Sequence, residues 1–227
     1  MHCQFELRLN SHGAERYPGA CSHEELLALA ALADTVLSKR SGVRVFGHQS
    51  LNEILIDGGM GRLAVALLGE AARPVRAIFF DKTADSNWSV GWHQDRTIAV
   101  RARRDVPGFG PWSIKAGATH VEPPFAIIAG MITMRVHLDA CDADNAPLLV
   151  VPSSHRLGRV PVGQTGEVAR RLCHVACLAG TGDTWVYATS IIHASERAIV
   201  PRHRRVLQVD YSGTLLPSGL EWLGVMD

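Results

Sequence analysis

Four side chains in this sequence have the types and spacing to do metal chemistry. His93 and Asp95 stand two apart in Trp92-His93-Gln94-Asp95. On a strand both project from one face. His193, in Ile191-Ile192-His193, follows Asp95 by 98 positions and falls in another strand-like run. Two such strands can face each other across a closed barrel. Two neutral imidazoles and one carboxylate suit a borderline divalent metal, iron(II) above all, and leave about three octahedral positions open. A 2-oxo acid can take two of them and dioxygen the third. Arg204 lies 11 residues beyond His193, on the last long strand-like run. Its guanidinium fork can hold a carboxylate bidentately, where a lysine is only a point charge. Arg202 and Arg205 are rivals. Arg204, Val206 and Gln208 share one strand face, and Arg205, Leu207 and Val209 share the more apolar other. Parity therefore does not favour Arg204.

These residues need elements to position them. Residues 22–39 read as a helix: Ser22 and Glu25 have capping-box spacing, and Leu26, Leu29, Ala30, Ala33, Val36 and Leu37 form one apolar face. A second helix is expected over 62–72, stopped by Pro74. From Val75 onward, short strand-like runs alternate with Gly, Pro, Asn and Asp. They fall near 75–80, 89–95, 127–139, 148–151, 172–178, 184–187, 191–194 and 204–211. Met134, Val136 and Leu138 alternate with Arg135, His137 and Asp139, as in a half-buried strand. Many short strands after a helical section predict a mainly β sandwich or jelly roll with helices packed outside. Residues 101–124 hold Pro107, Gly108, Gly110, Pro111, Gly117, Pro123 and Pro124. That stretch reads as an ordered lid loop anchored by Phe109 and Trp112. One domain over 1–227 is expected, with a mainly helical flank (1–74) and a jelly-roll core (75–222).

Composition narrows the class. The 227 residues are 47% hydrophobic and 20% charged, ordinary for a globular chain. Lys+Arg 23 against Asp+Glu 22 gives +1, so no global field draws the chain to nucleic acid or membrane. The longest apolar stretch, 125–134, has 10 residues, too few to span a bilayer. The start, MHCQFELRLN, has no basic segment leading an apolar run, so no signal peptide is expected. Five cysteines, an odd number, read as free thiols in a reducing cytosol, which makes a cytoplasmic location the expectation.

The ordered set H-x-D, then His, then Arg resembles the phytanoyl-CoA dioxygenase family of Fe(II)/2-oxoglutarate-dependent oxygenases. The surrounding text matches as well: FFDKTADSNWSVGWHQD at 79–95, PLLVVPSSHRLG at 147–158 and GDTWVYATSIIHASE at 182–196. The resemblance covers about 75–222. It implies a double-stranded β-helix (jelly-roll, cupin-like) core. It also implies a dioxygenase that decarboxylates 2-oxoglutarate and hydroxylates a C–H bond of a small molecule, releasing succinate and carbon dioxide. Carried over by position, His93, Asp95 and His193 are the iron ligands and Arg204 the cosubstrate anchor. Ser195 matches a small hydroxyl residue that touches the cosubstrate. Trp112 matches a tryptophan lining that pocket, and Lys82 is a weaker cosubstrate contact. Two glycines usual in the family's turns are Ala146 and Ser153 here. The chain is also short for the family, which points to a trimmed substrate lid and away from an acyl-CoA substrate.

Other readings compete. Ile54-Leu55-Ile56-Asp57-Gly58-Gly59-Met60-Gly61-Arg62-Leu63-Ala64 has the text of a strand, a dinucleotide-binding glycine turn and a helix. No further βαβ units follow, so a glycine-rich turn before an outer helix is the simpler expectation. Cys173, His174 and Cys177 lack a second pair at zinc-finger spacing and fit a buried strand. Arg101, Arg103, Arg104 and Lys115 could attract an anionic substrate or simply be solvated. A cupin-like hydrolase or isomerase without 2-oxoglutarate, and a non-catalytic ligand-binding jelly roll, are the alternatives to an oxygenase.

Overall fold

A computed structural model describes residues 6–38 and 40–225. Strands β1 (Ala14–Tyr17) and β2 (Gly42–Arg44) are interspersed with helices α1 (Leu9–His12), α2 (His23–Leu37), α3 (Gln49–Ile56) and α4 (Gly59–Leu68). Then follow β3 (Arg73–Lys82), β4 (Val90–His93), β5 (Ile98–Val100), β6 (Trp112–Lys115), β7 (Ala118–Val121), α5 (Phe125–Ala129), β8 (Met131–His137) and β9 (Leu148–Val150). After α6 (Thr165–Arg171) come β10 (Val175–Cys177), β11 (Thr184–Ala188), β12 (His193–Ser195) and β13 (Arg204–Ser212).

The capping box at α2 is formed: Glu25 N donates to Ser22 Oγ at 3.1 Å, and Ser22 N donates to the Glu25 carboxylate at 2.7 Å. Leu29, Ala33 and Leu37, one per turn, are its buried stripe. The expected last residue, Lys39, lies outside the described residues. The glycine-rich decoy is resolved here. Residues 54–56 end α3 rather than a strand, so 54–64 is a helix–turn–helix. A Cβ at Gly59 would stand 1.9 Å from Ala20 O, and one at Gly61 1.8 Å from Ile56 O. These glycines let backbones approach; they do not cradle a phosphate.

The strands form an antiparallel jelly roll. A six-stranded sheet has the order β1-β11-β8-β13-β3-β2, and a four-stranded sheet the order β10-β9-β12-β4. The first 74 residues thus supply both edge strands of the larger sheet besides the helices. One face of that sheet carries Ala77, Phe79, Met134, Val136, Val186, Leu207 and Val209 against Leu29, Ala33, Leu51, Leu55 and Met60 of the helices. Its other face meets the smaller sheet. At one end Leu148, Val150, Val175, Cys177, Trp185 and Tyr187 close an apolar layer. At the other the inner face is polar and encloses a cavity.

Four readings change. Residues 127–129 belong to α5, and the strand starts at Met131. β8 is buried on both faces, not half-buried: Arg135 and His137 are 6% and 1% exposed. Their alternation with apolar residues marks an enclosed polar interior, not solvent. The segment 101–124 is only partly a loop, because β6 and β7 make a hairpin that joins β5 in a third sheet. Among the cysteines, Cys21, Cys141 and Cys177 are free and buried, but Cys173 is disulfide-bonded, against the expectation of free thiols. No helix of the described residues is long and apolar enough to cross a membrane.

Candidate metal centre

β4 and β12 are adjacent antiparallel strands whose register sets His93 directly opposite His193. The two ring centroids lie 4.2 Å apart. Between His193 and Ser195 the register shifts, a bulge of the kind that re-aims side chains beside active sites. Asp95 lies two residues past the end of β4, yet its carboxylate joins the imidazoles. One ligand atom from each of the three lies within 4.8 Å of the others, and this is the one such group among the described residues. The Cys173-His174-Cys177 cluster forms no comparable group.

Both imidazoles are oriented from behind. His93 Nδ1 donates to Gly91 O at 2.8 Å and His193 Nδ1 to Ile191 O at 3.0 Å. In a neutral ring this leaves the Nε2 lone pair to face the cavity, as a metal ligand must. Burial first, then the neighbouring His93, pushes the His193 imidazolium down to about 4, so the ring is neutral at physiological pH. Burial alone would raise the Asp95 carboxyl, but Arg76 and the two histidines outweigh it and hold it below its usual range. Asp95 Oδ2 is buried without a hydrogen-bond partner, and Arg76 stands off at 3.6 Å. An unmet buried carboxylate oxygen is costly, and a divalent cation would satisfy it. The donor set fits iron(II).

Outward from Asp95 runs a polar chain. Arg76 Nε donates to Asp210 at 2.6 Å, and the Thr133 hydroxyl donates to the same carboxylate at 3.1 Å. Gln94, between the two ligands in sequence, points the other way. Its amide donates to Ser190 O at 2.8 Å and Gly158 O at 3.0 Å and accepts from Val160 N at 2.9 Å. It pins the turn that carries Asp95.

The triad opens onto a cavity of about 200 Å³ whose wall includes Lys82, Trp88, Arg135, Ser195 and Arg204. Lys82 and Arg204 are cross-strand partners, as are Arg135 and Gln208. Lys82 Nζ donates to Ser195 Oγ at 2.9 Å and to Glu196 O at 2.6 Å. Arg204 is 2% exposed and donates to Ala146 O. Neither Lys82, Arg135 nor Arg204 forms an ion pair among the described residues, and Nε of each arginine is buried without an acceptor. Burial, then Arg204 and Arg135, pushes the Lys82 ammonium down to about 7. Three cations gathered beside a metal site, without carboxylates of their own, make a seat for a dianion.

The profile of the family Phytanoyl-CoA dioxygenase (PhyH) matches residues 35–206. The chain belongs to the phytanoyl-CoA dioxygenase family. The match covers most of the chain, the strands from β2 to β12 and the whole triad, and places the protein among Fe(II)- and 2-oxoglutarate-dependent enzymes. A search of curated proteins by sequence finds no match. Solved structures share the fold. The epimerase SnoN, in complex with Fe3+, alpha ketoglutarate and nogalamycin RO, has a TM-score of 0.68 at 16% identity, over 90% of this chain and 80% of that one. EctD from S. alaskensis, with 2-oxoglutarate and 5-hydroxyectoine, has 0.67 at 18% identity, over 90% and 73%. AviO1 from Streptomyces viridochromogenes Tue57 has 0.67 at 17% identity, over 93% and 94%.

Within this family member, six of the seven site residues expected from sequence line one cavity: His93, Asp95, His193, Lys82, Ser195 and Arg204. Trp112 does not. It sits on β6, packed in the cluster of Val75, Ile98 and Met131 with the Arg103 guanidinium 5.5 Å over its ring. Its place in the cavity wall is taken by Trp88, whose ring lies 5.1 Å from Lys82 Nζ. The positional match to the family misplaces Trp112, because the chain after Asp95 turns away into the third sheet. The rival arginines face elsewhere: Arg202 is exposed and pairs with Asp142, and Arg205 pairs with Asp139 and Asp34. Arg76, Arg135, Trp88 and Gln94 were not anticipated. Arg76 and Lys82 share strand parity, which was a usable signal; Arg135 was assigned to a solvent face.

Proposed function

We propose that this chain is a dioxygenase that hydroxylates an unactivated C–H bond of a small molecule, coupled to conversion of 2-oxoglutarate to succinate and carbon dioxide. One observation carries the reading: a two-histidine, one-carboxylate donor set shares its cavity with three buried cations that lack anionic partners. His93, Asp95 and His193 would hold the iron. Arg204, with Lys82 and Arg135 beside it, would hold the far carboxylate of the cosubstrate, and Ser195 would present its hydroxyl to the same group. Bound iron supplies dioxygen activation, the hard chemistry of the reaction. The chain's own part is positioning and charge. The backbone carbonyls of Gly91 and Ile191 fix the imidazole tautomers, Arg76 keeps Asp95 ionised, and Phe80, Trp88 and Leu148 wall the cavity against water. A hydrolase or isomerase on the same triad has no use for the three cations.

The test is anaerobic addition of Fe(II) and 2-oxoglutarate. A weak visible charge-transfer band is expected only when both are present, and Arg204→Gln should raise the 2-oxoglutarate concentration needed by tenfold or more, the usual cost of a charge-assisted bidentate contact. No band with the wild type, or an unchanged requirement in the variant, overturns the reading.

A further inference from the structure

A second cavity of about 530 Å³ opens between β2 and the turn of the β6–β7 hairpin. Arg40, Arg44 and Arg101 line it, with Phe46 and residues 116–119 of the hairpin. Arg101 is ion-paired with Glu221 at 3.6 Å, so the groove's uncommitted charge comes from Arg40 and Arg44. Phe46 is 53% exposed, a large aromatic left in water. The groove neighbours the metal cavity. Arg44 of β2 is paired in register with Ile78 of β3, and Ile78 lines the metal cavity. Paired strands lie about 4.8 Å apart, so Arg44 stands one strand away from Ile78 in the wall of the metal cavity.

Arg44 is also incompletely paired. Its Nη2 donates to His120 Nε2 at 2.8 Å, while His120 Nδ1 donates to Ala118 O at 2.9 Å. That pattern fixes His120 as a neutral ring, so it offers the guanidinium no charge. Arg44 Nη1 is buried with no hydrogen-bond partner. Inside the metal cavity the charge of an iron(II) dication and a 2-oxoglutarate dianion cancel, and Asp95 and Asp210 are matched by Arg76 and one further cation. Positive charge therefore remains unbalanced in the metal cavity and, through Arg40 and Arg44, along the groove.

We infer that the primary substrate carries an anionic head, a carboxylate or a phosphate, which is held in this groove by Arg44 together with Arg40. Its apolar body lies along Phe46 and leads the reacting carbon to the metal. The inference rests on the oxygenase reading for the meaning of the bound anion as substrate, but the anion preference of the groove is measurable without turnover.

The experiment uses three probes of similar body, 3-phenylpropionate, phenyl phosphate and the neutral 3-phenylpropan-1-ol, titrated calorimetrically into protein loaded with Fe(II) and 2-oxoglutarate under argon. At least one anion should bind about tenfold more tightly than the alcohol, and Arg44→Gln should remove that preference while leaving the alcohol's affinity in place. The stronger of the two anions identifies the head group. Arg40→Gln, at an exposed position, should weaken the anion in the same direction and serves if Arg44→Gln fails to fold. Equal affinity for acid and alcohol, or equal losses for both in the variants, overturns the inference. The charge-transfer band of the loaded protein is recorded in the same samples: its presence with no anion preference rejects the groove alone, and its absence rejects the oxygenase reading.

Discussion

At the scale of single residues, two departures from the family's turns have a measurable cost. Ala146 and Ser153 both adopt left-handed backbone, with φ of 54° and 64°. That conformation strains any residue with a Cβ by roughly 1–2 kcal/mol. Ser153 recovers part of it, since its hydroxyl donates to Ser11 O at 3.0 Å. Ala146 recovers nothing by its side chain, but its carbonyl accepts from Arg204 and from Ser195 Oγ. Ala146→Gly should therefore stabilise the fold by about 1 kcal/mol and raise Tm by about 2–4 °C. A melt lower than wild type would mean that the turn is held by something other than backbone preference. Lys82 gives a pH prediction. Its ammonium titrates at about 7 in the cavity, mainly because it is buried. An arriving dicarboxylate favours the charged amine, so binding above pH 7 takes up a proton and weakens as pH rises. Calorimetry of 2-oxoglutarate binding at about pH 8 in two buffers of different ionisation enthalpy should show that uptake. Lys82→Met should abolish it; equal uptake in the variant assigns the proton elsewhere.

Between residue and fold, the triad depends on two elements holding register. The β4–β12 pairing sets His93 opposite His193, and a slip of one residue would turn an imidazole out of the cavity. Asp95 lies beyond that ladder and depends on Gln94, which ties it to 158–160 and to Ser190. Gln94→Leu leaves one buried donor and two carbonyls unmet. It should cost about 2–4 kcal/mol by denaturant unfolding and weaken Fe(II) binding roughly 10–100-fold. Lost stability with wild-type iron affinity would limit Gln94 to the fold. The H-x-D spacing was legible because strand parity is local. Gln94's role was not, because its three partners come from distant loops that only the folded chain brings near.

For the whole molecule, a metal joining β4, β12 and the turn after β4 would clamp the smaller sheet at its open end. Fe(II) at about 100 times its Kd should then add about 2.7 kcal/mol of stability, read as an upward Tm shift. Asp95→Ala should abolish both the shift and turnover; a full shift in that variant would remove the carboxylate from the site. At this scale the division between sequence and structure has a physical cause. Residue types, strand parity and turn chemistry are local, and by themselves they pointed to a mainly β sandwich or jelly roll with outer helices, three candidate metal donors and an arginine near position 204; the family resemblance narrowed the fold to a jelly roll. They also determined that Arg204 and Arg135 share faces with polar neighbours. Only the tertiary structure decided that those faces look inward. A polar strand face means solvent unless a second sheet covers it, and here the four-stranded sheet does, turning what read as surface charge into a buried cationic cavity. The same long-range packing sent Trp112 to the third sheet and brought Trp88 to the cavity wall, because which of two aromatics reaches a site depends on the path of the chain between them, not on the count of residues.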